Sequence, residues 1–474
     1  MVRKRFAIGG ALLLTTYLST PAFAQTPSDN SPTSDEIAEL KAQLEALSQR
    51  VESLESELEM ARVASNAETV VPSIPLANSA GQGRIARSPP SLTQELRPTA
   101  TEVETVTFKG GPLIENPGGW SFKPRGRLNI DAGAVALPDG VAAEEGFSSE
   151  VRRARLGAEG TIPGGFGYKF EVEFAGNNLE LTDALMFYSD GGLWILAGQH
   201  NTFQSLEELT SARFTSFIER AAFTDAFNFE RRLGVSIQYE KGDLLFQGGA
   251  FSDNSADLPS KNYSFDGRAV WIPKFGDTQF HLGGSLHLTG VEGDGSVRYR
   301  QRPLVRFTAT RLIDTKEIEA EREFGIGLET ALIAGPFHAA GETHWQTVER
   351  PGELTDPTFF GGYLETGLFL TPNDTRGYKE GLFDRVRPVR EIGEGGIGAV
   401  QVAARYDYLD LNDLNIFGGI QNAYQFSLIW TPTDYTRLLL TYGRTDYTDA
   451  VLPDENGNSD YGVDSLGVRA QVDF

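Results

Sequence analysis

The sequence of 474 residues contains no cysteine and only 3 methionines. The absence of cysteine excludes disulfides as staples of the fold, and it fits a chain that crosses an oxidising compartment. Basic residues are in the minority, because 42 Lys and Arg stand against 65 Asp and Glu and the formal net charge is −23. Proteins that bind nucleic acid need a basic face, so this balance argues against a nucleic-acid partner.

Long hydrophobic runs are also missing. Beyond the first residues, no segment offers the roughly 18 to 20 continuous apolar residues of a transmembrane helix. The start of the chain combines a basic triplet at 3–5, a short apolar run at 6–18 and a small-x-small site at 22–24. This pattern predicts a signal peptide over residues 1–24. The mature protein therefore leaves the cytoplasm and either stays soluble or enters a membrane without helices.

From residue 121 to the last residue, apolar and polar side chains alternate. In the last segment the apolar face reads Leu466, Val468, Ala470, Val472 and Phe474, and the polar face reads Gly467, Arg469, Gln471 and Asp473. Residues 166–174, 280–288, 400–408 and 424–430 alternate in the same way. A period of two over about 10 residues is typical of a strand between lipid and water. Such a sheet must close into a barrel, because an open edge is not tolerated in lipid.

A soluble antiparallel sandwich would alternate too, but three features favour the membrane barrel. The chain is rich in Gly (52), Phe (30) and Tyr (15). It carries the predicted signal peptide. It ends on Phe474, and a terminal aromatic on an alternating strand is the mark by which the outer-membrane assembly machinery recognises barrels. We therefore predict an all-β barrel over residues 120–474, located in the bacterial outer membrane and in contact with its lipid.

The number of strands is predicted from short segments whose residues are typical of turns. Predicted strands begin near residues 121, 150, 166, 180, 193, 231, 243, 262, 278, 322, 336, 358, 397, 420, 435 and 461. This makes a 16-stranded antiparallel transmembrane β-barrel with both ends in the periplasm, and barrels of 16 to 18 strands leave an aqueous channel. Residues 297–321 could add a pair of strands, but they are interpreted as an extracellular loop. Residues 372–395 fall on the periplasmic side and are too long for a tight turn.

The region before the barrel follows another period. Residues 33–64 carry apolar side chains at alternating spacings of three and four, namely Ile37, Leu40, Leu44, Leu47, Val51, Leu54, Leu58 and Ala61. This heptad seam predicts a self-associating coiled coil in the periplasm, and a lone amphipathic helix is the alternative. Residues 65–104 are rich in Ser, Pro, Ala, Thr and Asn, which predicts a flexible linker.

Several short motifs of the barrel region resemble the phosphate-selective porin O and P family. They include Val151–Gly157, Ser205–Ser211, Phe217–Arg220, Phe383–Pro388 and Arg469–Phe474. The resemblance spans roughly residues 120–474. It implies a trimeric, 16-stranded outer-membrane porin whose third loop, about Asn201 to Glu230, folds into the pore.

A porin selects through pore radius and wall charge, so it needs no catalytic residue, metal or cofactor. The basic candidates are the inward residues of the early strands, two arginines of the third loop and two at the next strand: Lys123, Arg125, Arg127, Arg153, Arg155, Lys169, Arg213, Arg220, Arg231 and Arg232. The acidic candidates are Glu207, Glu208 and Glu219. Residues two apart on a strand lie about 7 Å apart on one face. A ladder of arginine forks at that spacing suits phosphate or carboxylate.

The alternative interpretation is that these cations form ion pairs with neighbouring carboxylates. The chain is acidic, and residues 201–230 contain five acids, two arginines and no lysine. We therefore favour a general or mildly anion-preferring pore over a dedicated phosphate channel. Four histidines that alternation places inward, namely His281, His287, His338 and His344, are expected to line the water-filled wall.

Two other classes of function remain as alternatives. A structural barrel would anchor the envelope through residues 33–64, by contact with peptidoglycan or another periplasmic component, with its pore plugged. A barrel enzyme would need a Ser/His/Asp cluster near one rim, and alternation places no such set together. We therefore predict a porin and not an enzyme, with a homotrimer reinforced or tethered by the coiled coil.

Overall fold

The computed structural model describes residues 105–474, except 109, 177, 178, 258, 260, 293 and 294. The predicted signal peptide (1–24), coiled coil (33–64) and linker (65–104) lie outside the described residues.

Sixteen antiparallel strands form one closed barrel, in which each strand pairs with the next and β16 pairs with β1. The strands are β1 Ser121–Ala136, β2 Gly146–Ile162, β3 Phe166–Glu173, β4 Glu180–Asp190, β5 Leu193–Asn201, β6 Arg231–Lys241, β7 Leu244–Ser252, β8 Tyr263–Trp271, β9 Thr278–Gly290, β10 Arg322–Ala334, β11 Phe337–Glu349, β12 Thr358–Phe369, β13 Ala399–Asp413, β14 Ile416–Thr433, β15 Thr436–Thr448 and β16 Tyr461–Asp473. The predicted number of strands is confirmed.

The two faces of the wall are inverted relative to a soluble protein. In β16, Leu466 and Val468 are 48% and 46% exposed, whereas Arg469 and Gln471 are only 2% and 5% exposed. Apolar side chains thus cover the outside, where lipid solvates them, and polar side chains point into the lumen. No helix among the described residues is long and apolar enough to cross a membrane.

The two ends of the barrel carry different connections. At the end that holds Phe474, called the turn end, they span 163–165, 191–192, 242–243, 272–277, 335–336, 370–398 and 434–435. At the opposite end, called the loop end, they span 137–145, 174–179, 202–230, 253–262, 291–321, 350–357, 414–415 and 449–460. One long connection, 370–398, therefore lies among tight turns, as the sequence indicated.

Three connections supply about half of the buried residues of the protein's apolar core. The third loop (202–230) contains two short helices, α1 Leu206–Leu209 and α2 Ala222–Ala226. The fifth loop (291–321) forms two small ladders, Ser296–Val297 with Ile318–Glu319 and Arg300–Gln301 with Ile313–Asp314. The segment 370–398, called the insert, contains the hairpin Gly377–Lys379 and Leu382–Asp384. Buried side chains of these connections include Leu206, Phe217, Phe223, Tyr299, Leu312 and Phe383.

Small elements complete the turn end. A hairpin of Thr105–Phe108 and Pro112–Glu115 pairs with the start of β1. The two-residue strand Lys274–Phe275 pairs with β9. Residues 297–321 add no strand to the barrel, because their short ladders pair only with each other.

Candidate functional site

The third loop lies inside the lumen and is held against strands β11 to β13. The carboxylate of Glu342 on β11 accepts hydrogen bonds from the backbone N–H groups of Leu206 (2.8 Å) and Glu207 (2.7 Å). Arg405 on β13 binds the carboxylates of Glu207 and Glu365, both at 2.6 Å. These contacts satisfy the start of α1, whose first amides have no partner within the helix.

Strands β15 and β16 hold the middle of the same loop. Arg437 donates to the backbone oxygens of Arg213 and Thr215, the latter at 3.0 Å. Arg469 makes two hydrogen bonds to Asp131, at 2.8 and 2.7 Å, and a third to Glu219 of the loop at 3.3 Å. Inward arginines on this side of the barrel therefore hold backbone and carboxylates of the loop in place.

The insert supports the third loop from the turn end. Arg376 donates to the backbone oxygen of Phe214, and its guanidinium lies 4.7 Å from the ring centroid of Phe383. The amide of Phe383 donates to the hydroxyl of Thr210 at 3.3 Å. Arg385 binds the carboxylate of Asp473. The part of the insert from Arg376 to Arg385 thus packs against the third loop and the inner wall of the barrel.

Two cavities remain on the other side of the lumen, between the third loop and strands β1 to β6. The loop-end cavity has a volume of about 370 Å³ and the turn-end cavity about 660 Å³. Six residues line both cavities: Arg153, Arg155, Glu208, Ala212, Arg220 and Arg231. We call this ring the eyelet, because it lies where the two cavities meet.

The eyelet has four arginines and one carboxylate. Arg155 is bound by Glu171 and Glu173, each at 2.7 Å. Arg231 is bound by Asp183 at 3.0 Å, and Arg220 by Glu208 at 3.2 Å. Arg153 differs, since its buried Nε has no hydrogen-bond partner among the described residues. A cation left without a partner is the one best able to attract a passing anion.

The two cavities differ in charge. The turn-end cavity is lined by nine Lys and Arg against four Asp and Glu. The loop-end cavity is lined by seven arginines against seven carboxylates. Most of these cations are ion-paired, as the alternative reading of the sequence proposed, yet cations outnumber carboxylates in the turn-end cavity. A protein with a net charge of −23 thus contains a strongly cationic chamber.

Ten of the thirteen candidate residues line the turn-end cavity: Lys123, Arg125, Arg127, Arg153, Arg155, Lys169, Glu208, Arg213, Arg220 and Arg231. The other three lie elsewhere. Glu207 faces Arg405 on the far side of the third loop. Glu219 lines the loop-end cavity and binds Arg152 and Arg469. Arg232 lies in a separate pocket and binds Glu230 at 3.3 Å.

Arg152 is a residue that alternation misassigns. Asn129 pairs with Arg153 and Ile130 pairs with Val151, so Arg152 is an extra residue in a β-bulge. The bulge turns Arg152 into the lumen, where it binds Glu219 through two hydrogen bonds at 2.8 and 3.1 Å. Two successive arginines that precede an alternating segment are the only sequence sign of this bulge.

Two loop carboxylates have shifted pKa values of opposite sign. Burial raises the pKa of Glu208 above its ordinary value of 4.5, although the charge of Arg220 opposes this shift. Burial also favours the neutral form of Glu219, but Arg152 and Arg469 outweigh it and lower the pKa of Glu219. Glu208 is therefore the eyelet carboxylate that takes up a proton at a higher pH than an exposed glutamate does.

The four histidines point inward as predicted, but they are more buried than expected, and of the four only His287 lines one of the cavities described here, the pocket that also contains Arg232. The side chains of His281, His287, His338 and His344 are buried. The His344 ring packs 4.9 Å from the ring of Phe229 and 5.4 Å from that of Phe227, both in the third loop. His338 lies 6.4 Å from Phe383 of the insert. Alternation predicted their direction, but it does not reveal that other segments cover them.

A closed 16-stranded barrel with an inward-folded loop and a charged passage defines an outer-membrane porin. The particular family is given by the sequence itself: the chain matches the family "Phosphate-selective porin O and P" over residues 122–474, and it belongs to that family. The protein is therefore an outer-membrane channel, as predicted.

Known relatives lie at two levels of similarity. An uncharacterized protein of Caulobacter vibrioides is 44% identical over 472 residues, which covers 96% of this chain and 93% of the relative. Among solved structures, OmpT of Vibrio cholerae is 13% identical with a TM-score of 0.49, over 75% of this chain and 100% of that one. An anion-selective porin from Comamonas acidovorans is 14% identical with a TM-score of 0.47, over the same shares of the two chains.

Proposed function

We propose that this porin is a passive diffusion channel for small hydrophilic solutes and prefers anions, which pass between the third loop and the β1–β6 wall. The observation that carries the proposal is the eyelet, where Arg153, Arg155, Arg220 and Arg231 face one carboxylate, Glu208. Charges that line a narrow, water-filled passage set its ion selectivity, because the passing ion is close to them and poorly screened.

For ion selectivity, the charges that line the passage matter more than the net charge of the whole protein. A permeating ion experiences the field of the wall within roughly one Debye length, about 8 Å at physiological ionic strength. Nine cations against four carboxylates line the turn-end cavity, so this field favours anions. Arginine forks bind phosphate and carboxylate oxygens alike, so the geometry supports a preference for oxyanions and not for phosphate alone.

The first test is the reversal potential of the purified full-length protein in a planar bilayer under a salt gradient. An anion-preferring potential, with block of the current by added phosphate, is the expected result. Cation selectivity would overturn the proposed role of the arginines and leave a general porin. A barrel that does not conduct would support the alternative of an envelope-anchoring protein with a plugged pore.

We also propose a homotrimer, with the turn end and residues 33–64 in the periplasm. The support is the heptad seam of that segment and the even number of strands, which puts both barrel ends on one side. Deleting residues 33–64 should weaken trimers on native gels if the coiled coil reinforces them. Trimers of unchanged stability would favour a tethering role toward peptidoglycan.

A further inference from the structure

The turn-end cavity has two unlike walls. Its basic wall consists of the inward residues of β1 to β3. Its other wall, on β4 and β5, presents Leu185, Phe187, Trp194 and Leu196. Inward positions of a water-filled barrel are normally polar, so four neighbouring apolar side chains are a departure that needs an explanation.

These four side chains are not part of the protein's core. Other inward apolar side chains, such as Leu245, Ile429 and Leu439, are 0–2% exposed because loops and the insert cover them. Leu185, Phe187, Trp194 and Leu196 keep partial exposure and line the cavity instead. The third loop packs on the opposite wall, so an apolar surface remains open to the passage.

The apolar wall is also locally ordered. The rings of Phe187 and Trp194 lie 5.1 Å apart, centroid to centroid, at an angle of 41°. Phe187 pairs with Gly167 on β3, where a Cβ atom would overlap its ring. A glycine at this position therefore leaves room for the ring to lie over the neighbouring strand. The result is a fixed aromatic surface, not a mobile side chain.

The two walls meet at one cross-strand pair. Lys169 on β3 lies directly opposite Leu185 on β4, and such neighbours are about 5 Å apart at their Cβ atoms. The side chain of Lys169 remains 30% exposed, and its ammonium lies 3.0 Å from the carboxylate of Asp183. An anionic group held by the basic wall would thus place its remaining atoms against Leu185 and Phe187.

We propose that the turn-end cavity is a binding site for organic anions that carry an apolar group, such as aromatic carboxylates. This inference rests on the proposed anion pathway and adds the class of solute. Its volume of about 660 Å³ lies within the range of about 300–1,000 Å³ for small-molecule sites. Inorganic phosphate uses only the basic wall, whereas an aryl carboxylate covers the apolar wall as well and removes it from water.

The test measures block of the chloride current through the full-length protein by benzoate, acetate and inorganic phosphate. Benzoate should block at a concentration roughly tenfold below that of acetate, since burial of one ring face is worth about 1.4 kcal/mol, or a factor of ten. Leu196→Ala and Trp194→Ser should each raise the half-blocking concentration of benzoate about threefold or more and leave that of phosphate unchanged.

The matched control is Ile195→Ala, a truncation one residue away whose side chain faces outward. It should change no half-blocking concentration. Equal block by benzoate and acetate would overturn the inference, and so would equal effects of Trp194→Ser on benzoate and phosphate. Both outcomes would leave the anion pathway intact. A cation-selective pore would instead overturn the proposed function. If Trp194→Ser fails to assemble, Phe187→Ser provides the second variant.

Discussion

The two sides of the lumen use the same side chains for different tasks. On the β1–β6 side, Arg153 and Arg155 line the passage. On the β11–β16 side, Arg405 and Arg437 also point inward, but they bind the third loop and line neither of the two cavities. Arg405 binds two carboxylates, and Arg437 binds backbone oxygens. An inward arginine therefore either lines the passage or holds the third loop in place. The position of the third loop within the lumen decides which of the two roles it has.

This difference also explains how an acidic protein keeps a cationic passage. Carboxylates of the covered side, such as Glu207 and Glu365, bind Arg405 beside the third loop and do not line the turn-end cavity. Buried charges of this kind are stable only when they are paired and hydrogen-bonded. The loop thereby removes acids from the passage as well as narrowing it.

The largest expected effect comes from removing Arg405, which binds the carboxylates of Glu207 and Glu365. Arg405→Ala leaves the carboxylates of Glu207 and Glu365 buried without their partner, which costs about 3–5 kcal/mol when one member of a buried pair is removed. The barrel should unfold at a lower temperature on heated SDS gels, and its conductance should rise as the loop leaves the wall. The matched variant Arg153→Ala should do neither. Equal destabilisation by both would show that the two sides do not differ.

Arg376 tests the contact between insert and third loop. Arg376 is 4% exposed, and its guanidinium donates to the backbone oxygen of Phe214 and stacks on Phe383. Arg376→Ala should cost about 2 kcal/mol, since hydrogen bonds from charged groups are worth about 1.5–3 kcal/mol. Open-channel noise should increase as the loop gains freedom. Unchanged noise and stability would mean that the insert is not a support.

A substitution of Arg153 tests the β1–β6 side of the lumen, where the arginines line the passage. In Arg153→Gln, the loss of one charge about 4 Å from a passing anion in a water-filled pore removes about 1 kcal/mol of attraction, or roughly a factor of five. The anion-to-cation permeability ratio should fall by about that factor, with stability preserved within about 0.5 kcal/mol. An unchanged reversal potential would contradict the eyelet as the selective element.

Lowering the pH should increase the preference of the channel for anions over cations. Because burial raises the pKa of Glu208 above its ordinary value of 4.5, Glu208 becomes protonated at a higher pH than an exposed glutamate when the solution is acidified. The eyelet then loses its carboxylate and keeps its arginines. The permeability ratio for anions should rise, by less than the change in Arg153→Gln. The variant Glu208→Gln should lose this rise on acidification, and a rise that persists in the variant would point to another group.

Arg232 should show the smallest effect. It adjoins Arg231 in sequence but lines a separate pocket and binds Glu230 and Asp253. Arg232→Gln should leave the reversal potential unchanged, whereas Arg231→Gln should reduce anion preference. A comparable loss in both variants would mean that the second pocket joins the conducting path.

Much of the fold follows from local pattern. The period of two identified the strands, and each predicted start lies within four residues of the observed one. The bulge at Arg152 was missed because one extra residue breaks the alternation that the prediction relies on. The direction of the four histidines was predicted correctly, but their burial was not, since the residues that cover them are distant in the chain.

The sequence by itself determined the class of protein: the alternation, the number of strands and the family motifs are local properties of the chain. It also marked most of the charged residues of the turn-end cavity, because alternation fixes which side chains point inward. Only the tertiary structure decided which inward charges meet water. That depends on where the third loop and the insert lie within the lumen, and contacts such as Arg405 with Glu207 join residues 198 positions apart. Long-range contacts of this kind leave no periodic signal in the sequence.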